Sequence, residues 1–265
     1  MIDVQNLTKK FGDFLAVDDI SFNVKQGEIF AFLGPNGAGK STTIKMLTTL
    51  LHPTSGSLSL NGHNPTEDPE KARRDFGIVF QDPSLDDELT AWENIDLHGI
   101  LYDVSNDVRK ERAEQLLKFV DLWDRKDNFV KEFSGGMKRR LEIARGLLHH
   151  PKIIFLDEPT LGLDPQTRNS MWAYLKDLNQ KEQTTIFFTT HYMEEAERIA
   201  QRIAIIDHGK IISIGTADQL KTQTNTASLE EAFLSLTGKT IREEEGDGGK
   251  GRMRSMHRMW SGSRK

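Results

Sequence analysis

At 265 residues the chain is long enough for one large or two small domains and can bury a core without covalent staples. Its formal net charge of −5 argues against a general nucleic-acid binder, so no nucleic-acid partner is expected. It contains no cysteine, which excludes disulfides, zinc–thiolate centres and thiol catalysis and fits a reducing compartment.

The N-terminal stretch MIDVQNLTKKFGDF has no basic segment leading into an apolar one, so it reads as no signal peptide. Short apolar or β-branched runs predict strands at Ile2–Leu7, Ser21–Val24, Ile29–Leu33, Ser57–Leu60, Gly77–Phe80, Ile153–Leu156, Thr185–Thr189, Ile203–Ile206 and Ile211–Ile214. Three of them, beginning at Ile29, Ile153 and Thr185, are apolar or β-branched throughout and read as central strands buried on both faces. Alternation with helical patterns predicts an α/β fold with a mostly parallel sheet. None of these runs approaches the ~20 residues a membrane helix needs. A soluble chain is expected, with any membrane-spanning part supplied by another polypeptide.

The stretch Gly34-Pro35-Asn36-Gly37-Ala38-Gly39-Lys40-Ser41 fits GxxxxGK[ST] between a predicted strand and a predicted helix over Ser41–Leu50. Glycines there let backbone N–H groups close around phosphate. Lys40 reaches the β- and γ-phosphates, Ser41 ligates Mg²⁺, and Thr42 continues the loop into the helix. Just past the strand ending at Phe80, Gln81 offers an amide to Mg²⁺ or to a lytic water.

Between Asp82 and about Pro151 the strand signal disappears, and three helical patterns predict an insertion. The third opens on Ser134, Gly135 and Gly136, a second glycine-rich helix start of the kind that binds anions. In it Met137, Leu141, Ala144 and Leu148 share one face. Lys138, Arg139 and Arg140 point elsewhere, and most of that charge is expected to be solvated.

The run IIFLDE at Ile153–Glu158 ends an apolar strand in two acids, 157 − 40 = 117 residues after Lys40. Asp157 is placed to hold Mg²⁺ and Glu158 to act as general base on water. His191, ending the strand after Thr190, can donate a hydrogen bond near the γ-phosphate. Beyond Gly215 a helical appendage is expected over 221–241, with a capping box from Ser228 and Glu231. From Arg242 order is expected to fail. The end of that tail, with Lys250, Arg252, Arg254, Arg258, Arg264 and Lys265, is basic.

Gly34–Ser41, Gln81, SGGMKRR at Ser134–Arg140, FLDEPTLGLDP at Phe155–Pro165 and His191 stand in the order found in ATP-binding cassette ATPases, and residues 1–220 resemble that family. The resemblance implies a P-loop NTPase (RecA-like) core with an antiparallel β subdomain and a helical insertion subdomain. It implies ATP and Mg²⁺ as cofactors and a head-to-tail dimer, formed with a second copy or a homologous subunit. In that dimer Ser134, Gly135 and Gly136 of one subunit cap the γ-phosphate held by Gly34–Ser41 of the other. Phe11 matches the position of an adenine-stacking aromatic, and Asp164 matches a loop crossing the dimer interface. Met137 replaces a glutamine common in the family and cannot donate an amide hydrogen bond. SGGM followed by basic residues, together with SLEEAFLSLTG at Ser228–Gly238, resembles exporters of the drug-resistance type. The function implied is a cytoplasmic motor subunit, peripheral on the membrane through a separately encoded permease, that drives export of a drug-like or lipid-like molecule. The alternative is a non-transport ATPase of the same superfamily, such as a cofactor-assembly type.

Overall fold

The computed structural model describes residues 1–81 and 84–238. Asp82 and Pro83, at the start of the expected insertion, and the basic tail from Arg242 lie outside the described residues. The strands are β1 (Ile2–Phe11), β2 (Phe14–Val24), β3 (Ile29–Leu33), β4 (Ser55–Leu60), β5 (Phe76–Val79), β6 (Ile153–Asp157), β7 (Thr185–Thr190), β8 (Arg202–Asp207) and β9 (Lys210–Gly215). The helices are α1 (Lys40–Leu47), α2 (Pro69–Asp75), α3 (Ala91–Leu101), α4 (Asn106–Phe119), α5 (Gly135–Leu147), α6 (Pro165–Glu182), α7 (Met193–Ile199), α8 (Ala217–Thr224) and α9 (Leu229–Thr237).

Two sheets form: a six-stranded one ordered β5-β6-β7-β3-β8-β9, and an antiparallel three-stranded one ordered β2-β1-β4. In the larger sheet only β9 runs antiparallel to its neighbour. The three runs read as doubly buried strands become β3, β6 and β7, side by side at its centre and buried at every residue. Their side chains alternate between two apolar layers, as strand geometry requires. Ala31 and Leu33 join the layer built with α5, α6 and α7. Phe30 and Phe32 join the layer built with α1 and the small sheet. There Phe22 of β2 lies 5.8 Å from Phe30 and 6.0 Å from Phe187, ring centre to ring centre, clamping the antiparallel sheet onto the parallel one.

Parallel register decides where the chemistry gathers. Val79 pairs with Leu156, Asp157 with Thr189, and Leu33 with Thr190. The C-terminal ends of β5, β6, β7 and β3 therefore end on one edge, where ligands bind in open α/β sheets. The segments that follow begin at Phe80, Glu158, His191 and Gly34.

Helices α3, α4 and α5 occupy the chain between β5 and β6. Leu141, Ala144 and Leu148 are buried as expected, and Met137 packs partly buried against the same core. Arg139 departs from the expectation of a solvated face. It is 7 % exposed, because the backbone carbonyls of Phe80, just past β5, and of Asp157 to Pro159, at and just past the end of β6, surround its guanidinium. Of its neighbours, Lys138 pairs with Asp87 at 2.6 Å and Arg140 donates to Val120 O at 2.9 Å. The expected capping box forms by half. Ser228 Oγ accepts from Glu231 N at 3.2 Å, but the glutamate reaches one residue further back, to Ala227 N at 3.0 Å.

Candidate functional site

A cleft of about 400 Å³ opens on the C-terminal edge of the large sheet. The phosphate-loop residues Asn36 to Thr42 line it, together with Gln81, Glu158 and His191. Residues far apart in sequence thus meet around one space.

The loop's shape depends on its glycines. Gly39 has φ +104, and a Cβ there would lie 2.7 Å from Ala16 O. A Cβ on Gly34 would lie 2.3 Å from Ile206 O. Both positions exclude a side chain, and Gly39 also excludes one by conformation. Helix α1 begins with no side-chain cap and no acid in its first turn, so its N-terminal N–H groups remain for an anion.

Lys40 is buried, and its ammonium donates to Gly34 O at 2.8 Å and Pro35 O at 3.1 Å. It also pairs with Glu158 Oε1 at 3.1 Å. Asp157 Oδ1 accepts from Ser41 Oγ at 3.2 Å and from Thr189 Oγ1 at 2.6 Å. Ser41, Asp157 and Gln81 offer hydroxyl, carboxylate and amide oxygens, the hard donor set that Mg²⁺ takes.

Glu158 is 8 % exposed and sits at φ +46, uncommon for a residue with a side chain. Its N–H donates to Thr189 Oγ1 at 2.9 Å, and its carbonyl accepts from Arg139 at 3.1 Å. His191 Nδ1 lies 3.3 Å from its Oε2. Burial alone would raise this carboxyl, but His191 and Lys40 outweigh it and bring it from the ordinary 4.5 down to about 2. Behind these groups the buried Glu195 accepts from Thr160 Oγ1 at 2.5 Å and Thr190 Oγ1 at 3.0 Å. It ties the segment after Glu158 to the segment before His191.

Other expected residues stand apart from the cleft lining. Phe11 is 47 % exposed, with the Lys9 ammonium 5.2 Å from its ring centre. Its cross-strand partner Phe14 lines the cleft instead. Sequence reading missed Phe14, although a Gly-Asp hairpin tip between two phenylalanines was the available signal. Ser134 caps α5, accepting from Met137 N at 3.3 Å, and both Ser134 and Gly135 are exposed. Asp164 caps α6 through Gln166 N and Thr167 N at 3.0 and 2.9 Å, and Thr167 chiefly holds its carboxyl below the ordinary range. A Cβ on Gly136 would lie 3.5 Å from Thr167 Cγ2, so the starts of α5 and α6 adjoin.

The ABC transporter family model matches residues 17–161, and similarity to individual proteins extends over most of the chain. Linearmycin resistance ATP-binding protein LnrL of Bacillus subtilis is 41 % identical over 242 residues, covering 88 % of this chain and 78 % of the relative. The chain belongs to the ABC transporter family. Daunorubicin/doxorubicin resistance ATP-binding protein DrrA of Streptomyces peucetius is 43 % identical over 221 residues, covering 83 % and 67 %. A solved ATP-binding subunit of an ABC transporter superposes with a TM-score of 0.83 at 33 % identity, covering 89 % of this chain and 99 % of that one. A dimeric post-hydrolysis ATP-binding cassette bound to ADP and Pi superposes at 0.75 with 32 % identity, covering 82 % and 98 %. This ABC subunit is an ATP-binding, ATP-hydrolysing protein on a P-loop α/β core. Within that frame the two glycine-rich helix starts differ in kind: that of α1 lies inside the cleft without a cap, whereas that of α5 is capped and faces outward.

Proposed function

We propose that this chain is the motor subunit of an exporter for drug-like or lipid-like molecules. It works as a head-to-tail dimer on a separately encoded membrane permease and lies at the inner face of the cell membrane. The observation that carries the reading is the convergence of Lys40, Ser41, Gln81, Glu158 and His191 on one cleft. Relatives named for drug resistance and for Nod factor export support the substrate class. Among the described residues no helix is long and apolar enough to cross a membrane, which fits a spanning partner encoded elsewhere.

Residues 34–42 wrap the triphosphate with backbone N–H groups, and Lys40 supplies charge to its β- and γ-oxygens. The adenine stacks on the aromatic hairpin tip, Phe11 with Phe14. Ser41, Asp157 and Gln81 would hold Mg²⁺, which would supply charge that neutralises the phosphates. Glu158 takes the proton of a water that attacks the γ-phosphorus as its bond to the bridging oxygen breaks, and His191 orients that water. A carboxylate held near 2 is a weak base. Triphosphate draws Lys40 off Glu158, removing one cation that holds it down, so basicity rises when substrate is present. Ser134, Gly135 and Gly136 cap the γ-phosphate of the partner subunit, with Asp164 on the same interface. Closure then follows the difference in contacts between ATP and ADP.

Steady-state hydrolysis of Mg·ATP tests the reading. Glu158→Gln is expected to lower kcat by about 10²–10⁴-fold with ATP binding retained. Lys40→Ala is expected to weaken ATP binding roughly 10–100-fold. Ordinary turnover by Glu158→Gln would refute the general-base role.

A further inference from the structure

Arg139, Glu142 and Arg145 follow one another at three-residue spacing, so they share one face of α5. That face is turned inward: Glu142 is 1 % exposed, and the Arg145 side chain is 16 % exposed. It grips the two segments that carry Gln81 and Glu158. Arg139 Nε donates to Pro159 O at 2.8 Å, and its Nη2 donates to Asp157 O at 3.0 Å and Glu158 O at 3.1 Å. Its Nη1 donates to Phe80 O, one residue before Gln81, and pairs with Glu142 at 3.3 Å. Further along the chain, Ser84 N donates to Glu142 Oε1 at 2.6 Å, and Arg145 Nη1 donates to Ser84 O at 2.7 Å. Both ends of the 80–84 segment are therefore tied to α5, and one guanidinium bridges that segment to the backbone of Glu158.

Placing a guanidinium here is costly unless each donor finds an acceptor, and four carbonyls and a carboxylate supply them. Only the planar five-donor fork of arginine spans acceptors so arranged; a lysine ammonium is a point charge with three donors. The backbone that Arg139 holds includes Glu158 at φ +46, a conformation that persists only when its surroundings enforce it.

We propose that Arg139 is a positioning residue for hydrolysis, coupling helix α5 to the general base and to Gln81 of its own chain. The inference rests on the reading of Glu158 as base and of Ser134–Gly136 as cap on the partner's nucleotide. Ser134 caps the helix five residues before Arg139, so a displacement of α5 on engaging the partner's phosphate moves Glu158 and Gln81 directly. The state of one nucleotide site thereby reaches the other along a single rigid helix.

Purified full-length Arg139→Gln and Arg139→Lys, each checked for folding by circular dichroism, are assayed for kcat and KM with Mg·ATP and for ATP affinity. Misplacing a catalytic group by about 1 Å costs on the order of 10²-fold, so kcat is expected to fall at least about 30-fold in Arg139→Gln. KM and ATP affinity are expected to stay within about 2-fold of wild type, because the phosphate loop is untouched. Arg139→Lys keeps the charge but loses the fork, so it is expected to stay at least about 10-fold below wild type in kcat. A purely stabilising role predicts a lower melting temperature with kcat per folded molecule unchanged, which would overturn the proposal, as would full rescue by lysine. Should Arg139→Gln fail to fold, Arg139→Met with Glu142→Met removes both buried charges together, and wild-type kcat in that double variant would overturn it equally. Wild-type protein without Mg·ATP hydrolysis would defeat the underlying reading instead, and that outcome is distinct from an active Arg139 variant.

Discussion

Glu158 shows how much of a site is set by neighbours of a single side chain. Its carboxyl is lowered from 4.5 to about 2, with burial opposing and His191 and Lys40 prevailing. A depressed carboxylate contributes stability that is fully present above its unfolded value and is lost as pH falls through its folded one. The stability gap between wild type and Glu158→Gln is therefore expected to hold level from neutral pH to about 5, then shrink as pH falls from 4.5 toward 2. Thermal unfolding at graded pH measures it, and a gap that closed already between pH ~7 and ~5 would contradict the pairing. Gly39 carries a second residue-scale expectation. Gly39→Ala meets both φ +104 and Ala16 O, so it is expected to cost roughly 1–3 kcal/mol by denaturant titration and to weaken ATP binding. Lys40, Ser41, Asp157 and Glu158 were legible in sequence because their chemistry is local: a loop between strand and helix, or acids ending an apolar run. Arg139 and Glu195 were not. Their partners lie 18 to 59 residues away for the Arg139 carbonyls and 35 away for Thr160, and helical periodicity assigns both to a polar face.

Among the described residues, all nine strands were readable from apolar and β-branched runs, with differences at their ends. The largest difference is β2, read from Ser21 but beginning at Phe14. Asp18 and Asp19 interrupt its apolar pattern, and it lies on the edge of a three-stranded sheet where such residues meet water. Helix α2 escaped notice because PEKARRD has a single buried residue and little apolar periodicity. Phe22 bridges the two sheets, so Phe22→Ala is expected to destabilise the protein by about 3–5 kcal/mol, read as a lower denaturant midpoint. At the start of α5, Ser134→Ala removes the cap to Met137 N and is expected to cost about 1 kcal/mol. If Ser134 also caps a partner's phosphate, ATP-driven association falls more steeply than that stability loss alone accounts for.

In the whole molecule, we propose, the outward-facing start of α5 completes the cleft of another subunit. Exposed Ser134 and Gly135, with the adjoining Asp164 cap, take no part in lining their own chain's cleft, which fits a contact made in trans. Sequence alone suggested this division only through resemblance, because spacing says nothing of which chain a loop serves. The most direct measurement is light scattering after size-exclusion chromatography on Glu158→Gln protein, with Mg·ATP and then with Mg·ADP. A dimer is expected with ATP and a monomer with ADP, and a monomer in both for Glu158→Gln combined with Ser134→Arg. A dimer that persists with ADP, or that forms with ATP despite Ser134→Arg, would contradict the contact in trans.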